Sequence, residues 1–147
     1  MENKKIRVST GVTIEVNDNG ETIVARIDDA NFVSGFYDLL DFMERTQNEI
    51  ESAEHGTDRE KLNFVTEKTK CIMAQIDLLF GADTCRKVFG GTIPSAYAIA
   101  DFFDQLLPIF EDYANERQRK ISEKYNRSRK GSKSAYRSNF HGKRNGK

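Results

Sequence analysis

A chain of 147 residues is long enough for one ordinary domain with a tail. Its composition, 37% hydrophobic and 31% charged, permits a hydrophobic core but not a large one. No apolar run approaches the roughly 18 residues that a membrane span needs, and the first residues lack the apolar stretch of a secretory signal. With only two cysteines, we expect a reduced protein without a disulfide framework and without a membrane segment.

The zero net charge of the chain hides a strong asymmetry. Residues 1–113 contain 11 Lys and Arg against 21 Asp and Glu, a net charge of −10, whereas residues 114–147 contain 12 against 2, a net charge of +10. The last stretch is rich in Ser, Gly, Lys and Arg, and it cannot bury enough apolar surface to offset the entropy of ordering. We therefore predict a domain over residues 1–125 and a disordered basic arm over residues 126–147.

The N-terminal part has the pattern of a β-hairpin. The segments GVTIEV and ETIVARI alternate apolar and polar residues, as half-buried strands do. An Asn-Gly pair lies between them and favours the positive φ angles of a type I′ turn. Because an isolated hairpin is only marginally stable in water, we expect this one to pack on helices or to pair with another chain.

The spacing of apolar residues then changes to steps of three and four, which predicts helices. Asp28 and Asp29 can cap a first helix from about Asp29 to Ala53. Thr57 and Glu60 match a capping box that opens a second helix, which ends at Gly81. The apolar faces of these two helices are formed by Phe32, Phe36, Leu39, Leu40, Phe42, Met43, Leu62, Val65, Ile72, Met73, Ile76, Leu79 and Phe80.

A short helix and a long one complete the predicted domain. The short helix is TCRKVF, residues 84–89, which Gly90 and Gly91 stop. Pro94 is expected as the first residue of the long helix, where its missing N–H costs nothing, and Pro108 should kink that helix near Asp104. The apolar face of the long helix consists of Ile99, Phe102, Phe103, Leu106, Phe110 and Tyr113. We expect the core to include Phe80, Phe89, Phe102 and Phe103.

The fold class that follows is mainly α. An N-terminal β-hairpin is followed by three longer amphipathic helices and a short connecting helix, with the basic arm at the C-terminus.

The segment from Gln75 to Phe103 concentrates acidic residues, glycines and a cysteine, and it is the obvious place to look for a ligand site. A calcium loop counted from Asp77 fails, because its ligand positions fall on Leu79, Gly81 and Val88. The domain contains no G-K-[ST] sequence, which a phosphate-binding P-loop requires. The cysteines and histidines are isolated from one another, which argues against zinc.

Cys85 is the remaining catalytic candidate, as a nucleophile near the start of the short helix. The competing interpretation, a small core residue, is favoured because His55 is the only histidine of the domain and lies across a helix. We find no catalytic constellation in the sequence, and we predict a protein that is not an enzyme and has no metal or cofactor.

The basic arm allows two interpretations, a solvated tail or an electrostatic binding element. Its cations could displace counterions from nucleic acid, Tyr136 and Phe140 could stack on bases, or the arm could bind an acidic protein surface, including another copy of the chain. The basic residues concerned are Arg127, Arg129, Lys130, Lys133, Arg137, Lys143 and Arg144.

The sequence IDLLFGADTCRKVFGG, followed by a proline and then IADFFDQLLPIF, resembles the small tail assembly chaperones of long-tailed, siphovirus-type phages of Gram-positive bacteria. The resemblance covers residues 11–113. The residues that match the family's central block, called the joint block here, are Asp77, Phe80, Gly81, Thr84, Cys85, Val88, Phe89, Gly90 and Pro94, with Phe102, Phe103 and Pro108 after them.

This resemblance implies a non-enzymatic chaperone in the host cell cytoplasm. Such proteins bind and solubilise the tape measure protein before tail tube subunits polymerise around it. The implied partners are therefore the tape measure protein, with the tail tube protein and self-association as further candidates. The alternative class is a small nucleic-acid-binding regulator that uses the basic arm.

Overall fold

The computed structural model describes residues 2–54 and 56–128. These residues form two antiparallel strands and four helices: β1 (Val12–Glu15), β2 (Thr22–Ala25), α1 (Ala30–Ser52), α2 (Asp58–Phe80), α3 (Thr84–Phe89) and α4 (Ala96–Ser128). The prediction of a hairpin, three longer helices and a short connecting helix is confirmed. No helix within the two described ranges is long and apolar enough to cross a membrane.

The chain divides into two compact units between Leu107 and Pro108. The first unit contains the hairpin, α1, α2, α3 and the first part of α4. In the second unit, the described residues are the rest of α4, where Arg119 binds Glu116 and Glu123 along the helix. Helix α4 ends at Ser128, beyond the predicted boundary at residue 125, so the first residues of the predicted arm are helical. The kink at Asp104 stays a prediction.

The predicted hairpin forms, but with a different turn. Ile14 lies opposite Ile23, and the face with Ile23 and Ala25 is buried. Of the residues in the connection, only Gly20 has a positive φ, +80°, so the predicted type I′ turn is wrong. The side chain of Asn17 explains the difference, because its Oδ1 accepts the N–H groups of Asn19, at 2.9 Å, and Glu21, at 3.2 Å, and shapes a longer connection.

Side-chain caps start the three long helices. Asp29 accepts the N–H of Asn31 at 2.9 Å, and Thr57 accepts that of Glu60 at 3.1 Å, so both predicted caps are confirmed. The predicted start of the last helix at Pro94 is wrong. The Ser95 hydroxyl accepts the N–H of Ala98 at 3.2 Å, which makes Ala96 the first helical residue and leaves Pro94 buried before the cap.

A chain of aromatic rings joins the three long helices within the first unit. The ring centroid of Phe80 lies 5.4 Å from that of Phe32 and 6.0 Å from that of Phe102. Phe102 lies 5.3 Å from Phe103, which lies 5.8 Å from Phe36. All five side chains are buried, which confirms the predicted core positions of Phe80, Phe102 and Phe103. Edge-to-face pairs of this kind add to the stabilisation that burial provides.

One predicted core residue and one residue of a predicted apolar face are less buried than expected. Phe89 is half-buried, because it contacts the edge of the cluster through Phe102, at 5.8 Å between ring centroids. Leu62 is 63% exposed. The buried residues of α2 begin only at Thr69. Within the described chain, the first turns of this helix are therefore more exposed than its later turns.

Replacing Phe102 with alanine should therefore lower the free energy of unfolding by roughly 3–5 kcal/mol, because the ring is buried among Phe80, Phe89 and Phe103. Urea unfolding monitored by circular dichroism measures this loss.

The matched control is Tyr97→Ala on the same helix, where the ring is 88% exposed. Its unfolding free energy should stay within about 0.5 kcal/mol of the parent value. Equal losses in the two variants would show that Phe102 does not belong to the core.

Candidate functional site

The joint block folds into the connection between α2 and α3. Gly81 has φ +123° and ψ 154°, a conformation that only glycine adopts readily, and its N–H binds the Asp77 carbonyl at 2.9 Å. Asp83 follows in the left-handed region at φ +70°. The Thr84 hydroxyl donates to the Gly81 carbonyl at 2.7 Å. This short connection is therefore specified residue by residue.

The carboxylate of Asp77 caps the helix that follows. Its Oδ1 accepts the backbone N–H of Cys85 at 2.9 Å, whereas Asp83, at the N-cap position of α3, makes no side-chain capping bond. A carboxylate at a helix N-terminus satisfies an orphan N–H group and interacts favourably with the helix dipole. An acidic residue of α2 thus fixes the position of α3.

Cys85 is a core residue, as predicted. It is 3% exposed, and its thiol donates to the Met73 carbonyl with 3.5 Å between sulfur and oxygen. Burial, together with the charge and hydrogen bond of Asp77, raises the pKa of the Cys85 thiol to about 12. Because the thiolate is the nucleophilic form, this environment disfavours nucleophilic chemistry. Among the described residues, no group of three His, Cys, Asp or Glu side chains is placed to hold a metal ion.

The hairpin docks on α3 through polar contacts. Arg86 pairs with Glu21 at 2.9 Å, and this hydrogen bond, followed by one from Asn17, lowers the pKa of Glu21. The Asn17 amide donates to the Lys87 carbonyl at 3.1 Å, and the Lys87 ammonium donates to the Thr22 carbonyl at 3.1 Å. Helix α3 therefore connects the hairpin to the helices.

The contacts described for residues of the joint block are structural. Val88 is half-buried, Gly90 ends α3 with φ +72°, and Pro94 is buried before α4. Of the predicted basic arm, Arg127 belongs to α4, and the positions from Arg129 onward, including Tyr136 and Phe140, lie outside the described residues.

A concave surface lies elsewhere, between α1 and α2, and sequence reasoning missed it. This α1–α2 groove has a volume of about 770 Å³. Its lining residues are Gly35, Asp38, Leu39, Asp41, Phe42, Glu44, Arg45, Gln75, Leu78 and Leu79. Leu78 is 79% exposed, so it presents an aliphatic side chain to solvent. The sequence signal for the groove was the LLF run of residues 78–80, in which Leu78 does not lie on the buried face of α2.

The groove has an apolar floor and a mainly acidic rim. Leu39 is buried, and Phe42 and Leu79 are half-buried beside it. A Cβ added at Gly35 would lie 2.9 Å from Cδ1 of Leu79, so glycine permits close approach of the two helices here. Carboxylates at Asp38, Asp41 and Glu44 follow the α1 side at helical spacing. The Arg45 guanidinium stacks over the Phe42 ring at 5.8 Å.

The chain belongs to a family of unknown function, DUF6673, whose model matches residues 19–145. Comparison with curated proteins and with solved structures finds no match. The family description assigns no activity, so a functional conclusion depends on the residues of this chain.

Asp77→Ala should lower the free energy of unfolding by about 1 kcal/mol, because it removes the cap of α3. Asp77→Asn keeps an acceptor oxygen and should retain most of that stability. Urea unfolding of the three proteins tests this, and equal losses in the two variants would contradict the capping role.

When the native protein is treated with a thiol reagent at about pH 8, the exposed thiol of Cys71 should react. The thiol of Cys85 should react only after denaturation, because it is buried. Since the folded pKa of Cys85, about 12, lies above its ordinary value of 9.0, its contribution to stability is present below pH 9.0 and is lost as the pH rises toward 12. Thiol titration measures the first effect and alkaline unfolding the second. Two equally fast thiols in the native state would contradict this account.

Proposed function

We propose that this protein is a tail assembly chaperone of the siphovirus type. It binds the tape measure protein in the host cytoplasm and keeps it soluble until the tail tube polymerises. It acts by binding alone, without catalysis or a cofactor. The resemblance of residues 11–113 to that family supports the proposal, and the observation that carries it is the α1–α2 groove.

The groove fits the apolar face of a client helix. Its apolar floor, with Leu78 largely exposed beside it, matches the way in which helix-binding proteins receive residues spaced three and four apart. A volume of about 770 Å³ accommodates side chains from one or two turns rather than a whole helix. A tape measure protein, being long and largely helical, supplies many such turns.

The acidic rim selects the charge of the client. Asp38, Asp41 and Glu44 lie along one side of the groove, and residues 1–113 carry a net charge of −10. A client helix with Lys or Arg beside its apolar face is therefore attracted during association. This attraction weakens as salt screens it, whereas apolar burial in the groove sets the lifetime of the complex.

Leu78→Asp should abolish or sharply reduce the solubilisation of the tape measure protein, because it places a carboxylate on the apolar side of the groove. The measurement is the soluble fraction of the tape measure protein on co-expression with the full-length chain. Since Leu78 is 79% exposed, the variant should fold normally, which circular dichroism checks.

The matched control is Leu62→Asp, which makes the same change on the same helix at a leucine that is 63% exposed and outside the groove. It should leave solubilisation unchanged. If both variants solubilise the client as well as the parent protein does, the groove is not the client site.

The competing proposal is a nucleic-acid-binding regulator, which the net charge of +10 over residues 114–147 favours. Within the described part of this region, Arg119 is already engaged by Glu116 and Glu123. This function predicts that the full-length chain binds nucleic acid with a steep salt dependence and that Leu78→Asp has no effect. Such a result, with no effect on the tape measure protein, would replace the chaperone proposal.

A further inference from the structure

The residues before β1 continue the pattern of a strand without forming one. Ile6 and Val8 are spaced like Val12 and Ile14, with charged Lys5 and other polar residues at the alternate positions. Yet Ile6 is 90% exposed and Val8 is 75% exposed, and β1 begins only at Val12. Residues 4–9, called the N-terminal segment here, therefore have strand-forming sequence and two uncovered aliphatic side chains.

The outer edge of β1 is open. The Val16 N–H binds the Glu21 carbonyl at 2.9 Å, which fixes the even-numbered residues of β1 as those whose backbone groups face β2. The backbone groups of Thr13 and Glu15 face the opposite edge. In the described part of the chain, no residue outside the sheet hydrogen-bonds to them. An edge of this kind is a template for a further strand.

The N-terminal segment cannot pair with the outer edge of β1 in its own chain. The Thr10 carbonyl accepts the Asp28 N–H at 3.1 Å, and a bend at Gly11 separates the segment from β1. If the segment folded back onto β1 of its own chain through a tight turn at Thr10 and Gly11, even-numbered residues of the segment would pair with odd-numbered residues of β1. Val8 would then lie opposite Thr13. The aliphatic side chains would then lie on the solvent face of the hairpin.

We propose that the N-terminal segment pairs with the outer edge of β1 in a second copy of this chain, and that the two copies exchange segments reciprocally. An antiparallel register places Ile6 of one copy opposite Ile14 of the other, and Val8 opposite Val12. The two Thr10 residues then meet on the two-fold axis.

In this register Ile6 and Val8 both face aliphatic residues on the buried side, and Lys5 of one copy lies opposite Glu15 of the other on the solvent side. The odd-numbered residues supply the backbone hydrogen bonds on both strands, as the open edge of β1 requires. Two marginal hairpins thereby become one four-stranded sheet. The pairing does not depend on the proposed chaperone function.

Cysteine cross-linking of the full-length protein tests the register. In a Cys71→Ser background, Thr10→Cys places two thiols at a non-hydrogen-bonded pair, where Cα atoms lie about 4.5 Å apart, so mild oxidation should yield a disulfide-linked dimer. Thr13→Cys is the matched control. In this register its two copies are roughly 20 Å apart, and it should remain uncross-linked.

Light scattering after gel filtration tests the association itself. The parent protein should dimerise, and the double variant Ile6→Ser, Val8→Ser should raise the dissociation constant roughly tenfold or more. Tyr97→Ser, which removes another exposed apolar side chain at 88% exposure, should leave it unchanged. A parent protein that is monomeric at every concentration, a dimer that the double variant does not weaken, or equal cross-linking at Thr10 and Thr13 would each overturn the proposal.

Discussion

The contact between Phe80 and its neighbours is the interaction on which the rest of the structure depends. Phe80 is the last residue of α2, and its ring contacts Phe32 of α1 and Phe102 of α4. The next residue, Gly81, turns the chain, and Asp77, one turn earlier, caps α3. Because these roles fall on neighbouring residues, the end of α2 fixes the core and the connection together.

This arrangement engages polar residues of the segment from Gln75 to Phe103 in structural contacts. The Asp77 carboxylate is occupied by a backbone N–H, and the Cys85 thiol is buried with a raised pKa. Arg86 is paired with Glu21 across to the hairpin. The two proposed partner surfaces, the α1–α2 groove and the outer edge of β1, lie away from the joint.

Local signals allowed most of the fold to be predicted, and the failures mark places where a second interaction decides. The caps at Asp29 and Thr57 depend only on nearby residues, so they could be read directly. The start of α4 could not be predicted in this way, because capping by the Ser95 hydroxyl, and not the preceding Pro94, sets the first helical residue. The hairpin turn likewise depends on the Asn17 side chain, which overrides the Asn-Gly preference. The groove was out of reach, since Phe42 and Leu78 are far apart in sequence and share a surface only after α1 packs on α2.

The central functional claim is that a client helix occupies the α1–α2 groove, and hydrogen–deuterium exchange tests it most directly. The full-length chain would be compared alone and in complex with the tape measure protein. We expect slower amide exchange in complex along the two helical segments that line the groove, around Leu39 on α1 and Leu78 on α2. Protection confined to residues 114–147, with α1 and α2 unchanged, would contradict the account and assign recognition to the basic C-terminal region.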